Sequence, residues 1–201
     1  MRAAVNSESF LFLTQFLASY NVEPEAIEFL RTKLTSERLR KGDEFSIQGK
    51  ICDKIGILVA GLLYASFQPE NEEDEKVSRF FYSPRNIIVT SFESFNEVRP
   101  SSESIIALED SFLLCISRED LNRLYELSPE VNTIGRKLAE ESYIQLFRRA
   151  RALQTLDGED LIKDFWETHP ELVNHPSISL QQIASYLGIH RNTYRRLANN
   201  C

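Results

Sequence analysis

Hydrophobic and polar positions divide the chain into stretches of different period. Residues 8–34 carry apolar side chains at Phe12, Phe16, Ile27 and Leu30, a helical spacing broken near Asn21-Val22-Glu23-Pro24. From Leu39 to about residue 117 the pattern changes. Short apolar runs there alternate with the turn signals Lys41-Gly42-Asp43, Gln48-Gly49-Lys50 and Ala60-Gly61. The runs 55–59, 62–67, 77–82, 87–92, 104–108 and 112–116 predict strands, and the charged run from Glu70 to Lys76 predicts a solvated hairpin tip. Many short strands divided by frequent turns imply a β-roll, barrel or jelly roll.

After Ser117 the strand signals stop. Arg118–Glu126 predicts a short helix. Ser128-Pro129-Glu130 then combines an N-cap with a proline in the first turn and opens a helix to about Leu156. On it, Ala139, Tyr143, Leu146, Ala150 and Leu153 follow the 4-3-4-3 spacing of a coiled-coil seam. The alternative is a stripe packed on the same chain's β domain. Gly158 marks a break before an amphipathic helix over 159–168 with Leu161, Ile162, Phe165 and Trp166. The last stretch, PSISLQQIASYLGIHRNTYRRLANNC, has the pattern of a helix, a tight turn at Gly188 and a second helix at about His190–Ala198. Ile183, Ala184, Leu187, Ile189 and Leu197 are its expected core.

Charge sharpens this division. The 201-residue chain has net charge -7. Residues 1–130 hold 14 Lys+Arg against 22 Asp+Glu, or -8, whereas residues 131–201 hold 9 against 8, or +1. The acidic part repels a polyanion, so nucleic-acid contact is expected at the C-terminal end. There Arg191, Arg195 and Arg196 stand in a segment without Asp or Glu. Ser179 and Gln181 open the first helix of the pair, where amides and small polar side chains bind phosphate.

Other chemistries find little support. Cys52, Cys115 and Cys201 are widely spaced and odd in number, which fits reduced thiols in a cytoplasmic protein better than a metal site or a disulfide framework. The apolar stretch Phe10–Ala18 is too short to span a membrane and reads as an amphipathic helix. No G-x-S-x-G, P-loop or metal-ligand spacing occurs, so the chain is not expected to be an enzyme.

The order of elements, with Lys41-Gly42-Asp43, Gly49-Lys-Ile-Cys-Asp53, Gly61-Leu-Leu63, Ile106-Ala-Leu-Glu-Asp110 and Ile183-Ala-Ser-Tyr-Leu-Gly-Ile189, resembles the Crp/Fnr family of transcription regulators, in particular the short variety common in Bacteroidetes. The resemblance implies an α+β fold. A double-stranded β-roll of the cyclic-nucleotide-binding type with N-terminal helices occupies 1–127, a long dimerisation helix 128–157, and a winged helix-turn-helix DNA-binding domain 158–201. The chain stops soon after the second helix of the motif, so the wing is expected to be truncated. The implied partners are a near-palindromic double-stranded operator, a second copy of the chain and RNA polymerase, with no membrane.

By family position, Arg191, Asn192 and Arg196 match base-reading side chains. Arg bonds guanine O6 and N7 in a bidentate manner, and Asn does the same to adenine N6 and N7. His190 and Thr193 match phosphate-contacting positions, and Arg195 adds a cation where the family usually has a small residue. The effector site departs from the family. Its Gly-Glu pair aligns with Thr90 and Ser91, and its Arg-Ser pair with Ser101 and Ser102. Two polar residues that reach the base align with Leu146 and Phe147. A cyclic phosphate buried without its cation costs several kcal/mol, so ordinary cyclic AMP binding is not carried over and no cofactor is assigned. Ser91, Phe92, Arg99, Ser101, Ser102, Leu146 and Phe147 delimit the altered pocket, with Arg99 the nearest substitute cation. The expected function is dimeric, sequence-specific DNA binding. The alternative is a ligand-binding or protein-interaction module with a vestigial DNA motif.

Overall fold

The computed structural model describes residues 20–70, 74–83 and 87–199, together with Leu13 and Leu17. Phe12, Phe16, the centre of the acidic run and Cys201 lie outside them. Eight strands form: β1 (Thr35–Leu39), β2 (Glu44–Ser46), β3 (Lys54–Ala60), β4 (Leu62–Phe67), β5 (Lys76–Tyr82), β6 (Ile88–Val89), β7 (Ser104–Ala107) and β8 (Ser111–Ser117). They build two four-stranded antiparallel sheets, β1-β8-β3-β6 and β2-β7-β4-β5. Phe45, Leu63, Phe81, Ile105 and Leu113 fill the space between them. The tight β3–β4 turn requires Gly61, whose φ is +105° and whose missing Cβ would lie 2.6 Å from Ser111 Cα.

The helices are α1 (Pro24–Lys33), α2 (Phe92–Glu97), α3 (Arg118–Leu127), α4 (Pro129–Thr155), α5 (Gly158–Thr168), α6 (Leu180–Tyr186) and α7 (Arg191–Ala198). Each sheet is covered on its outer face. Leu114 and Ile116 of the first pack with Leu30 of α1, Leu124 of α3 and Ile134 of α4. Leu62, Tyr64, Phe80 and Tyr82 of the second pack with Ile162, Phe165, Ile183 and Tyr186 of the terminal helices. This explains the composition of β4. Five consecutive residues, Leu62 to Ser66, are buried, because a strand covered on both faces has no solvent side to alternate toward. A register shift between Ala65 and Ser66 inserts a bulge, which lets Val77 and Phe80, three apart in β5, join the same outer cluster.

One sequence expectation changes. The strand expected over 87–92 is only Ile88–Val89, and the chain then turns into α2. Buried groups force the turn: Thr90 Oγ1 donates to Lys54 O at 3.1 Å, and Phe95 sits in the outer core beneath the Arg118 guanidinium. The described acidic residues of the hairpin tip, Glu70, Asp74 and Glu75, are exposed as expected. β4 and β5 pair up to Phe67 and Lys76, and the Glu75 carboxylate accepts bonds from Tyr64 Oη at 3.1 Å and Ser66 Oγ at 2.8 Å.

Candidate nucleic-acid interface and effector region

Local chemistry fixes the terminal helices. Asp157 caps α5 by accepting from the amides of Glu159 and Asp160, each at 3.1 Å. Ser179 and Gln182 form a reciprocal capping box on α6, at 3.2 Å and 2.8 Å. Leu187 and Gly188 close that helix. Ile189 N donates back to Ala184 O at 3.0 Å, and Gly188 takes φ +67°, the left-handed residue that redirects the chain. His190 is the N-cap of α7, its Nδ1 accepting from Asn192 N at 3.2 Å.

The expected core of the motif is in place. Ile183, Ala184 and Leu187 are buried, Ile189 and Leu197 half-buried. Tyr194, buried on the inner face of α7, accepts a bond from Trp166 Nε1 at 3.4 Å. With Tyr194, Leu197 and Ala198 turned inward, the opposite face carries Arg191, Asn192, Arg195 and Arg196, all exposed. Ser179, Gln181 and His190 are exposed beside them, and Thr193 is half-buried. The three arginines form no ion pair among the described residues, whereas Arg31, Arg99, Arg123 and Arg136 all do.

Along α4 two parallel stripes appear. Ala139, Tyr143, Leu146, Ala150 and Leu153 are exposed, with Tyr143 68% accessible, and Tyr143 stacks on Phe147 at 6.4 Å between centroids. One position earlier run Leu138, Ser142, Gln145, Arg149 and Ala152, all half-buried toward the body of the chain. The seam is therefore not packed on its own β domain.

The residues expected to delimit an effector pocket do not gather round one space. Ser91 and Ser101 are buried, with hydroxyls 2.8 Å apart. Ser94, buried beside them, donates to Arg99 O at 2.5 Å and accepts from Cys52 N at 2.8 Å. Arg99 is half-exposed and pairs with Glu93 and with Glu97, the latter at 3.1 Å; Ser102 donates to Glu93 at 3.0 Å. Phe92 and Leu146 line one small cavity of about 60 Å³, and exposed Phe147 does not. Two cations line that cavity, Arg149 of α4 and Arg79 of β5. Arg79 lies closer in the fold to the aligned positions: its Nη2 donates to Thr90 O at 3.5 Å. It is paired with Glu103 at 2.8 Å and lies 4.9 Å over the Phe81 ring. Sequence alignment missed it because it sits on β5 rather than on the loop where the family has its arginine.

A second group missed from sequence lies where α4, β5 and the terminal helices meet. Arg149 Nη2 donates to Tyr186 O at 2.6 Å, and its guanidinium lies 4.4 Å over the Tyr186 ring. His169 bridges two phenols, with Nδ1 2.7 Å from Tyr82 Oη and Nε2 3.4 Å from Tyr186 Oη. Burial lowers the Arg149 pKa and raises that of Tyr186. The signal in the sequence was an arginine on the inward stripe of a helix. The terminal helices are also pinned to the sheet by polar bonds. Ser185 Oγ accepts from Val77 N at 2.9 Å, and Ser177 Oγ donates to Glu109 at 2.9 Å.

Cys52 and Cys115 are buried thiols, and no cluster of three metal-binding side chains occurs among the described residues. No described helix is long and apolar enough to cross a membrane.

No protein-family model matches the chain, and no curated protein does. Solved structures do. A protein assigned to the Crp/Fnr family from Eubacterium rectale superposes with TM-score 0.70 at 14% identity, covering 90% of this chain and 83% of that one. The c-di-GMP-responsive global regulator CLP of Xanthomonas campestris gives 0.66 at 20% identity, covering 89% and 91%. FixK2 of Bradyrhizobium japonicum gives 0.63 at 16%, covering 83% of each. The chain thus has the α+β fold of the Crp/Fnr-type regulators: a cyclic-nucleotide-binding-like β-roll, a long helix and a terminal helix-turn-helix.

Proposed function

We propose that this protein is a sequence-specific DNA-binding transcription regulator that acts as a two-fold dimer. The observation that carries this is the outward face of α7, where Arg191, Asn192, Arg195 and Arg196 are exposed and the arginines have no carboxylate partners among the described residues. A recognition helix enters the major groove with its N-terminal residues at base edges, and Arg and Asn there have the bidentate geometry to read guanine and adenine. His190, Ser179, Gln181, Thr193 and Arg195 are assigned to the flanking phosphates. The unpartnered stripe of α4 supplies the two-fold interface, which matches two recognition helices to a near-palindrome with half-sites one helical turn, about 34 Å, apart. RNA polymerase is the expected further partner. The reading assigns no ordinary cyclic nucleotide. The positions aligned with its ribose and phosphate ligands are hydroxyls already engaged: Thr90, Ser91 and Ser101 with one another or with backbone, and Ser102 with the Glu93 carboxylate.

The test is selection of bound sequences from random duplex DNA with wild-type protein and with Arg191→Gln/Arg196→Gln. Wild type should enrich a near-palindrome. The double variant should lose site preference, at about 1–3 kcal/mol per base contact, while keeping residual salt-dependent binding. Unchanged preference in the variant, or negligible wild-type affinity even at low salt, would leave the chain as a ligand-binding or interaction module with a vestigial motif.

A further inference from the structure

A cavity of about 230 Å³ opens between the C-terminal half of α4, the edge of β5 and the helices α5 and α6. It adjoins the smaller cavity beside Phe92, sharing Tyr82, Gln145, Arg149, His169 and Tyr186 with it. It lies outside the β-roll interior and contains none of the residues aligned with the family's nucleotide ligands except through that junction. Three arginines of α4 line it: Arg148, Arg149 and Arg151. None of the three forms an ion pair among the described residues. Arg149 is the notable one. Its Nη2 is held by the Tyr186 carbonyl and its face by the Tyr186 ring, yet its Nε is buried with no acceptor among the described residues. A desolvated guanidinium without a carboxylate is costly, and such a cost is ordinarily offset by an anion. Asp164 lines the larger cavity and Glu141 the smaller, but neither reaches Arg149. Opposite the arginines the wall is apolar, with Leu161, Phe165 and Leu187.

We infer that this junction is a binding site for a small organic oxyanion, a phosphate or carboxylate seated on Arg149 with Arg148 and Arg151 at the mouth, its body against the Leu161–Phe165 wall. On a chain of net charge -7 the general field repels anions, so uptake here depends on the local arrangement. A ligand so placed touches the sheet, the long helix and the terminal helices together. Its binding energy therefore opposes their separation.

The test is calorimetric titration of the full chain with two probes, inorganic pyrophosphate and citrate, which separate phosphate from carboxylate. At least one should bind with Kd below about 1 mM. Arg149→Gln should weaken it at least tenfold, and Arg148→Gln/Arg151→Gln, at exposed positions where folding is not at stake, at least threefold. Arg191→Gln/Arg196→Gln should leave it unchanged. Absence of binding by both probes overturns the inference. So does binding that is lost in the Arg191/Arg196 variant and kept in the others, since the anion would then sit on α7.

Discussion

At the scale of the residue, the group with most leverage on the docked arrangement is Tyr64. Its ring lies in the cluster beneath the terminal helices, and its hydroxyl donates to Glu75. Burial and, next, the Glu75 charge push its pKa up from 10.0 to about 12. The folded state thus holds a proton that the unfolded chain releases near pH 10. That contribution to stability is full below the unfolded value and is lost as pH rises through the folded one. Urea midpoints of the wild type should therefore fall between about pH 10 and 12, and Tyr64→Phe should flatten the part of this decline due to Tyr64. An equally steep decline in the variant would assign the alkaline loss to other groups, of which Tyr186, buried and also raised, is the first to test.

At the scale of the element, α4 is one helix with two jobs set by adjacent stripes. The inward stripe carries Arg149. The outward stripe exposes Tyr143, Leu146 and Leu153 to solvent, and such an apolar row normally meets a partner. Tyr143→Glu/Ala150→Glu places like charges across a two-fold seam while leaving the inward stripe untouched. Sedimentation should show the dimer weakened at least tenfold, about 1.4 kcal/mol, with helix content by circular dichroism unchanged. A wild type that is monomeric at micromolar concentration would remove the seam. Elements of this kind were legible in the sequence because period and caps agree. Ser128 with Pro129, and Ser179 with Gln182, mark helix starts that the chain obeys. α2 was not legible. Its apolar Phe92 and Phe95 follow Ile87–Val89 without a turn residue, and a six-residue helix held by tertiary bonds has too little periodicity of its own to show.

At the scale of the whole molecule, the charge asymmetry and the arginine-rich last helix were readable from the sequence, but the docking of the terminal helices on the sheet was not. It depends on contacts between residues as distant as Val77 and Ser185, and no local pattern encodes which face meets which. The one trace was the unbroken buried run of β4, which has no polar side because both of its sides are covered. This docking has a thermodynamic consequence. Leu62, Tyr64, Phe80 and Tyr82 share one cluster with Ile162, Phe165, Ile183 and Tyr186, so separating the terminal helices exposes apolar surface of the sheet as well as their own. Trp166, the single tryptophan, lies on α5 and packs against this cluster, and it reports on the terminal part alone. Far-UV circular dichroism reports on the entire chain. If the cluster couples them, urea denaturation followed by the two signals gives coincident transitions. Tyr186→Ala, which removes the ring under Arg149 and from the contacts with Phe80 and Phe165, should uncouple them, the Trp166 transition moving to lower urea ahead of the other. Two separate transitions already in the wild type would mean that the terminal helices stand as an independent unit, and that the shared cluster contributes little to holding them on the sheet.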